Sequence, residues 1–339
     1  MLTHYGLRFT FCAEIFLIDA PLNVASTVMR REFSTIGIVG TFIRDTIIPL
    51  SGPPVESIGG LYHTSAYLAL LLGKENRVRL VCNMGEDFYE NVCATLGRFS
   101  NFELSFVKRL SMANTQVRLI YRSSETRDEI TSEPMPPVLV EDIAPLVDCD
   151  VVLINLITGR DIELAAVRAL RQQTRALIYL DLHSLALGID ANGKRYYREV
   201  PTWRRWIESV DVLQVNEREA ATLAGHGVLS LPELETFARR VVDEGLRICH
   251  ITLASRGSLL VYRDGNAVRS LHCPPQKISQ VIDIIGCGDA FGAAFITDYL
   301  SSKDPASAAH FANRIAGLNC TFMGSLTIER FHQYIEPHL

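Results

Sequence analysis

The chain has 339 residues, 48% of them hydrophobic and 21% charged, and its formal net charge is −5. This composition is typical of a globular protein with enough apolar material for one large core or two smaller ones. Acidic and basic residues are mixed along the chain without a basic block, so we expect no nucleic-acid partner and no membrane surface. The eight cysteines show no C-x-x-C spacing, which favours reduced thiols in a cytoplasmic protein.

The first 33 residues stand apart from the rest of the chain. The run FTFCAEIFLIDA (residues 9–20) is apolar, but Glu14 and Asp19 interrupt it. A signal peptide needs a basic start and an unbroken apolar run, and a membrane span needs roughly 18 apolar residues. We therefore interpret residues 1–33 as an extension that packs on the body or on a second subunit. The second arrangement would make the protein a homodimer.

Apolar runs of strand length recur after residue 33 and alternate with helical patterns. The predicted strands are 34–43, 77–85, 151–157, 176–182, 211–216 and 248–254. The predicted helices are the stretch after Gly60, residues 161–173, 217–225 and 232–244, and nearly all of the chain from Gly288 onward. Strands that are apolar throughout and alternate with helices favour a parallel sheet covered on both faces. The sequence therefore predicts one α/β domain over residues 34–339.

Residues 102–122 do not follow this alternation of apolar strands and helices. In the stretch 114–122, Val117, Leu119 and Tyr121 alternate with polar residues, a period of two that is typical of a strand with one wet face. The stretch 102–110 precedes it after a short turn, so we predict a hairpin outside the main sheet. With strand material near 44–55 it would form a small lid, although an ordinary edge hairpin explains the pattern equally well.

The run DIIGCGDAFGAAF (residues 283–295) is the best candidate for an anion site. Gly286 and Gly288 permit backbone conformations in which successive N–H groups, including that of Cys287, converge on one point. The helix that follows adds positive potential at its N-terminus. Asp289 lies beside this site, where it would suit a general base that removes a hydroxyl proton. The alternative is an acid that only stabilises the helix start.

Two other glycine motifs are weaker. Residues 188–194 have Walker A spacing, but Arg195 stands where a Ser or Thr would hold Mg²⁺, so a surface turn is favoured. Residues 286–292 loosely match a dinucleotide fingerprint. That fingerprint belongs after the first strand of a βαβ unit, whereas this run occurs late and Asp289 would repel a pyrophosphate.

The run at 283–295 resembles the second signature of the PfkB family of carbohydrate and nucleoside kinases, which have a ribokinase-like fold. The typical pattern is Asp-Thr-x-Gly-Ala-Gly-Asp before a helix of small residues. The matching positions are Asp283, Gly286, Gly288 and Asp289, and the departures are Ile284 and Cys287. Three further stretches agree with the family in order and spacing across about 300 residues, and together they are more specific than any one motif.

The first of these stretches holds Gly59 and Gly60. It resembles the double-glycine segment where a strand turns into a helix and the backbone approaches the acceptor. The family's usual asparagine four residues later is Thr64 here. Because threonine lacks the two-sided hydrogen bonding of an amide, this departure bears on the identity of the acceptor.

The second and third stretches resemble the donor side of the family's site. Asn216 and Glu219 match an Asn-x-x-Glu motif that organises Mg²⁺ and its waters, although the same pair is also a capping box. Residues 252–257 resemble a Thr-x-Gly-x-x-Gly nucleotide turn with Ala254 in place of the first glycine. The resemblance implies nucleotide contacts from Thr252, Ser255, Gly257 and Asn313.

Acceptor-binding residues are implied at the ends of other strands. Asp45 lies where the family has an aspartate that accepts sugar hydroxyls, and a carboxylate suits paired O–H donors. Asn155 and Asp181 end predicted parallel strands, which is the usual ligand edge of such a sheet. With Gly59, Gly60 and Thr64, these residues complete the expected acceptor site.

The resemblance implies an ATP-dependent kinase with a small sugar or nucleoside as its partner and Mg²⁺ as its cofactor. A monovalent cation such as K⁺, held by carbonyls around Asp283 and Ile285, is a further option. Two alternatives remain open. A degenerate relative would bind nucleotide or sugar without transferring phosphate, and a Rossmann oxidoreductase would bind NAD(P) at residues 286–292.

Overall fold

A computed structural model of the protein describes residues 34–122 and 127–339. The predicted extension 1–33 lies outside the described residues. The strands are β1 (Thr35–Val39), β2 (Phe42–Ile48), β3 (Val55–Gly60), β4 (Arg77–Gly85), β5 (Phe102–Glu103), β6 (Val107–Leu110), β7 (Gln116–Tyr121), β8 (Arg127–Thr131), β9 (Val151–Asn155), β10 (Leu177–Asp181), β11 (Leu187–Ile189), β12 (Arg195–Tyr197), β13 (Val212–Asn216), β14 (Ile248–Thr252), β15 (Ser258–Asp264) and β16 (Ala267–Cys273).

The α-helices follow most of the predicted helical stretches. They are α1 (Leu61–Leu72), α2 (Glu86–Leu96), α3 (Leu164–Gln173), α4 (Trp203–Ile207), α5 (Glu217–Leu223), α6 (Leu231–Asp243), α7 (Cys287–Ser302), α8 (Pro305–Asn319) and α9 (Ile328–Arg330). Helix α7 is buried on nearly all sides over its first half, which is why its sequence shows small and apolar residues rather than an amphipathic stripe.

The central sheet has the order β16-β15-β14-β13-β10-β9-β1-β4-β5, and β6 also pairs with β4. Strands β5, β4, β1, β9, β10, β13 and β14 pair with one another in parallel. At one edge, β15 pairs in antiparallel fashion with both β14 and β16. The inner strands are apolar throughout because helices cover both faces. The predicted α/β architecture with a mostly parallel sheet is therefore confirmed.

Two hydrophobic cores lie on opposite faces of the central sheet. One is formed mainly by α1, α2, α7 and α8, and the other by α3, α4, α5 and α6. The sheet contributes alternate side chains to each core, as the pleat requires. The site described below lies at the end of this sandwich, where the strands of the sheet stop.

A second, small sheet has the order β3-β2-β7-β8, and we call it the small sheet. The predicted strand 34–43 is in fact two strands, because the chain leaves the central sheet after β1 and enters the small sheet as β2. The buried residues Ile43, Val117 and Leu119 of the small sheet pack with Ile157 from the main body. Strand β3 ends at Gly60 and α1 begins at Leu61, as the strand-to-helix interpretation of this segment expected.

The predicted hairpin over 102–122 is wrong. Strands β5 and β6 pair in parallel with β4 of the central sheet, and only β7 joins the small sheet, beside β2. The partner that β7 meets in antiparallel fashion is β8, which follows it. The physical reason is burial: Val107 is 7% exposed and belongs to the core beneath the central sheet, so its segment gains more there than in an exposed hairpin.

None of the helices in the described part of the chain is long and apolar enough to cross a membrane.

Candidate active site

A cleft of about 790 Å³ opens between the small sheet and the ends of the parallel strands. Polar residues end the strands that face it: Asp181 ends β10, Asn216 ends β13 and Thr252 ends β14. In open parallel sheets, ligands bind outside the carboxyl ends of the strands. The cleft therefore lies where this architecture places a binding site, and the small sheet supplies its opposite wall through Ile43, Val117 and Leu119.

Residues 286–288, which we call the anion loop, begin helix α7 at one side of the cleft. Gly286 caps the helix in the left-handed region, at φ 77°, and a Cβ there would lie 2.9 Å from Nδ1 of His63. Both facts require glycine. The N–H of Cys287 lies 3.4 Å from the carbonyl of Ile284, too long for a strong hydrogen bond. Like other groups at a helix N-terminus, it is available to an anion.

Asp289 lies in the first turn of α7 and lines the cleft. Its Oδ1 accepts hydrogen bonds from Oγ1 of Thr64 (2.8 Å) and Nδ2 of Asn155 (2.7 Å). The same Asn155 amide donates to Thr64 Oγ1 at 2.9 Å. The other oxygen, Oδ2, makes no hydrogen bond with any residue that the structure describes. Asp289 is therefore held in one orientation while keeping one oxygen available.

This geometry gives Thr64 and Asn155 a role that the sequence did not indicate. Both were predicted to bind the acceptor directly, yet both are buried and bonded to Asp289. One polar atom of Asn155 is unpaired, because its buried Oδ1 has no hydrogen-bond partner in the described ranges. A buried carbonyl oxygen without a partner is costly, so Asn155 Oδ1 is well suited to accept a hydroxyl from a ligand.

Asp45 and the glycine pair lie on neighbouring strands of the small sheet. Asp45 lies on β2 and lines the cleft together with Gly60. The carboxylate lies so close to Gly59 on the neighbouring strand that a Cβ at that position would be 1.8 Å from Oδ2 of Asp45. Gly59 thus makes room for the Asp45 carboxylate, which supports the prediction that these residues act together.

Asn216 and Glu219 form the capping box that the sequence allowed. Asn216 Oδ1 accepts from the backbone N–H of Glu219 at 2.9 Å, and Glu219 Oε2 accepts from that of Asn216 at 2.9 Å. The pair also lines the cleft, so the cap does not exclude the predicted role at a metal. That role stays a prediction.

The electrostatics around Glu219 suit a cation. Burial raises the pKa of Glu219 to about 8, and the pKa of Asp181 is raised well above its ordinary value by burial and by the charges of Glu219 and Asp289. No group of three or more acidic, His or Cys side chains could hold a metal directly among the described residues. The donor set therefore fits Mg²⁺ held largely through water and phosphate oxygens, as this ion prefers.

Of the four residues predicted to bind the nucleotide, one lines the cleft. Thr252 lines the cleft, whereas Ser255, Gly257 and Asn313 do not. Asn313 is buried, and its amide donates to Ser258 Oγ (3.0 Å) and to the carbonyl of Cys273 (3.1 Å). Ala254 adopts φ 50°, the left-handed conformation that a glycine would take more easily. The adenine contact of Asn313 remains a prediction.

Several residues lining the cleft were missed from the sequence. His63 lies on α1 and His183 follows β10, and burial lowers the pKa of both imidazoles despite the nearby Asp289 carboxylate. Lys194 and Arg195 come from the turn and second strand of the β11–β12 hairpin. We interpreted this segment as a surface turn, and its Walker A spacing was the one signal that drew attention to it.

Arg118 lies on β7 and Arg122 directly follows that strand, and the loop before α7 contains the predicted monovalent-cation site. Arg118 is exposed on the face of β7 opposite Val117, and Arg122 Nε donates to Asp128 Oδ2 at 2.8 Å. In the loop before α7, Asp283 Oδ1 accepts from the N–H of Ile285 at 3.0 Å. The carbonyl of Ile285 accepts from Asn319 Nδ2 at 2.8 Å, and its role at a monovalent cation stays a prediction.

Comparison with known proteins identifies the family. The model described as pfkB family carbohydrate kinase matches residues 52–329, which is more than half of the chain. The chain belongs to the pfkB family of carbohydrate kinases. The matched range contains every predicted site residue of this pfkB-family chain except Asp45.

Individual relatives of this pfkB-family chain are 20% to 31% identical to it over the matched residues. A deoxyribokinase of Salmonella typhi is 31% identical over 129 residues, which cover 37% of this chain and only 40% of that relative. A cytidine kinase of Thermococcus kodakarensis is 25% identical over 265 residues, or 77% of this chain and 87% of the relative. The structure of Arabidopsis thaliana ribokinase complexed with ribose and ATP is similar with a TM-score of 0.66 at 20% identity, over 86% of this chain and 94% of that chain. This likeness confirms the ribokinase-like fold.

Proposed function

We propose that this protein is an ATP-dependent kinase that transfers the γ-phosphoryl group to a hydroxyl of a sugar or nucleoside. The observation that carries the proposal is Asp289, a carboxylate fixed by Thr64 and Asn155 directly beside the anion loop. The helix start alone favours an acid, but a carboxylate beside a bound phosphate is repelled by it, so its charge there calls for a task. Removal of a proton from an attacking hydroxyl is such a task.

In the proposed reaction the acceptor hydroxyl lies between Asp289 and the donor phosphate. Asp289 takes the hydroxyl proton as the oxygen attacks, and the N–H groups of Gly286, Cys287 and Gly288 stabilise charge on the transferring group. The hydrogen bonds from Thr64 and Asn155 keep the carboxylate aimed without consuming its second oxygen. A general base of this kind contributes about 10²–10⁴ in rate.

The donor side is supported by the cleft residues at the ends of β13 and β14. Asn216 and Glu219 would organise Mg²⁺, which neutralises phosphate charge when bound, and Thr252 would contact the nucleotide. ATP is the expected donor because the Arabidopsis ribokinase structure holds ribose and ATP.

The acceptor side combines hydroxyl-binding groups with an apolar wall. Asp45 lines the cleft and can accept hydrogen bonds from hydroxyls, while Val117 and Leu119 of the small sheet face the same space. The buried Oδ1 of Asn155, which has no partner among the described residues, is a second acceptor at the end of β9. A ring with hydroxyls on one side and carbon atoms on the other fits these surroundings. The deoxyribokinase and cytidine kinase relatives are consistent with a pentose or a pentose-containing nucleoside.

The proposal is tested by measuring ATP consumption by the purified full chain with a panel of pentoses, hexoses and nucleosides in the presence of Mg²⁺. We expect acceptor-dependent ADP formation with at least one pentose or nucleoside. Nucleotide binding without turnover on any member of the panel would instead favour the degenerate binding protein. Binding of neither nucleotide nor sugar would contradict both.

A further inference from the structure

Two thiols meet directly behind the anion loop. Cys287 is the first residue of α7 and Cys320 caps the end of α8, and their sulfur atoms are 3.1 Å apart although 33 positions separate them in the chain. Both cysteines are half-buried and reduced in this structure. A contact this close between two sulfurs requires only a small approach to reach the bond length of about 2.05 Å.

The surroundings hold the pair in this position. Asn319 Nδ2 donates to the sulfur of Cys287 at 3.3 Å and to the carbonyl of Ile285 at 2.8 Å. Asn319 is fixed in turn by Tyr67, whose hydroxyl donates to its Oδ1 at 2.8 Å. The sulfur of Cys320 contacts the carbonyl of Ala316 at 3.4 Å. Side chains from α1 and α8 therefore hold the two thiols in contact.

The other cysteines of the core are unsuited to oxidation. Cys82, Cys149 and Cys249 are buried, and burial raises the pKa of each thiol to about 12. Cys287 and Cys320 differ, because both are only half-buried and Cys287 also lines the cleft. A small oxidant can therefore reach the pair from the cleft.

We infer that Cys287 and Cys320 form a reversible disulfide that lowers phosphoryl transfer when the protein meets a low-molecular-weight disulfide oxidant such as oxidised glutathione. One of the two thiols gives up its proton and attacks one sulfur of the oxidant, which releases one glutathione and leaves a mixed disulfide. The other thiol then gives up its proton and attacks the protein sulfur of that mixed disulfide, which releases the second glutathione. The protein loses two thiol hydrogens and two electrons, and the oxidant becomes two thiols.

The effect on turnover follows from the position of Cys287. Its backbone N–H belongs to the proposed anion loop, and bond formation closes the 3.1 Å sulfur–sulfur distance by about 1 Å, shared between the two cysteines. The bond ties the first residue of α7 to the end of α8, and because a misplacement of about 1 Å can cost about 10²-fold in rate, we expect oxidation to lower kcat by about 10-fold to 100-fold. This consequence rests on the proposed kinase function, whereas formation of the disulfide does not.

The test incubates the full-length protein with oxidised glutathione, then measures kcat and maps its peptides under non-reducing conditions. We expect a peptide pair joined through Cys287 and Cys320, a matching fall in kcat, and recovery of both on reduction. Cys320→Ser, which can still donate to the Ala316 carbonyl, should keep its kcat during the same treatment. Cys93→Ala, which removes a half-exposed thiol on α2, should respond like the wild type.

Two results would overturn the inference. One is the absence of a Cys287–Cys320 peptide pair after treatment that oxidises the half-exposed Cys93. The other is a cross-linked protein with an unchanged kcat. If the reduced protein shows no turnover with any acceptor, the proposed function fails, and the peptide map still decides whether the disulfide forms. Cys320→Ala provides a second variant for the same comparison if the serine variant does not fold.

Discussion

The two oxygens of the Asp289 carboxylate have different surroundings. Oδ1 receives two hydrogen bonds from buried donors on α1 and β9, and Oδ2 receives none from the described residues. Hydrogen bonds to a charged group contribute about 1.5–3 kcal/mol each. The orientation of the proposed base is therefore set by Thr64 and Asn155 before any substrate arrives.

Replacing Thr64 by valine tests this arrangement. Thr64→Val keeps the side-chain shape but removes the donor to Oδ1, so Asp289 is held by Asn155 alone. We expect kcat to fall by about 10-fold, corresponding to roughly 1.4 kcal/mol of lost positioning, with a smaller change in the KM for ATP. The matched control is Thr95→Val on α2, whose hydroxyl donates only to the carbonyl of Asn91. Equal kcat values for Thr64→Val and wild type would show that Thr64 does not position the base.

The sequence identified Asp289 but not its partners. The glycines and the small-residue helix are local patterns, so the anion loop could be predicted from thirteen consecutive letters. Thr64 and Asn155 lie 225 and 134 positions away from Asp289, and no local pattern reports such contacts. The resemblance gave them an acceptor-binding role because the family pattern describes a position in the site, and it could not show which neighbour the threonine would contact.

At the level of elements, the backbone of the anion loop depends on Gly286. Its left-handed φ and the proximity of the His63 ring leave no room for a side chain. We expect Gly286→Ala to lower kcat by about 10²-fold, because an alanine must shift the loop away from His63 by a fraction of an ångström to about 1 Å. Gly225→Ala is the control, since Gly225 also has a left-handed φ, 79°, but a Cβ there meets nothing within 4 Å.

Both alanine variants should lose about 1 kcal/mol of stability from the strained backbone, and only Gly286→Ala should lose turnover. Urea unfolding and steady-state kinetics on the two proteins separate these effects. A full kcat in Gly286→Ala would mean that the loop tolerates displacement and that the anion site does not depend on its present geometry.

The position of the small sheet leads to a separate prediction about the KM for the acceptor. Leu119 lies on the inner face of β7 and lines the cleft. We expect Leu119→Ala to raise the KM for the acceptor by about 10-fold, because roughly 1–2 kcal/mol of apolar contact is lost, while the KM for ATP changes little. Arg118→Ala alters the neighbouring residue on the outer face of β7 and should change neither constant. Equal increases in both KM values for Leu119→Ala would contradict a role specific to the acceptor.

Elements with long periodic or apolar patterns were predictable, and pairings between distant segments were not. The inner strands and helices α1, α3, α5 and α6 appear close to their predicted ranges. The error at 102–122 came from assuming that neighbouring strands pair, whereas β6 pairs with β4 and β7 pairs with β2. The hairpin β11–β12 was missed because each of its strands has only three residues. The hairpin β15–β16 was missed although its strands have seven residues each and β15 begins with four buried ones.

At the scale of the whole molecule, a buried histidine couples stability to pH. His250 on β14 is fully buried against the rings of Phe291 and Phe295, and both of its nitrogens lack hydrogen-bond partners in the described part of the chain. Burial lowers the pKa of His250 to about 3, whereas an unfolded histidine titrates near 6.5. Protons therefore bind the unfolded state first, and stability falls as the pH drops from about 6.5 towards 3.

His250→Leu removes this titration. The free energy of unfolding of the wild type should fall by about 1.4 kcal/mol more than that of the variant between pH 7.5 and pH 5.5. Urea unfolding curves for both proteins at the two pH values measure this difference. If the free energies of unfolding of the two proteins changed equally with pH, the pKa of His250 would be the same in the folded and unfolded states. Helix α7 and strand β14 of the core meet at this residue, so the effect reports on global unfolding.

The whole molecule brings Asp289, the anion loop and the ends of β10, β13 and β14 to one cleft, and the proposed chemistry depends on Asp289 most directly. The decisive measurement is the kcat of Asp289→Asn, taken with the acceptor found in the panel and alongside nucleotide binding. If Asp289 is the general base, kcat falls by about 10²–10⁴ while the protein folds and binds nucleotide with unchanged affinity. A kcat close to that of the wild type would remove Asp289 from the mechanism.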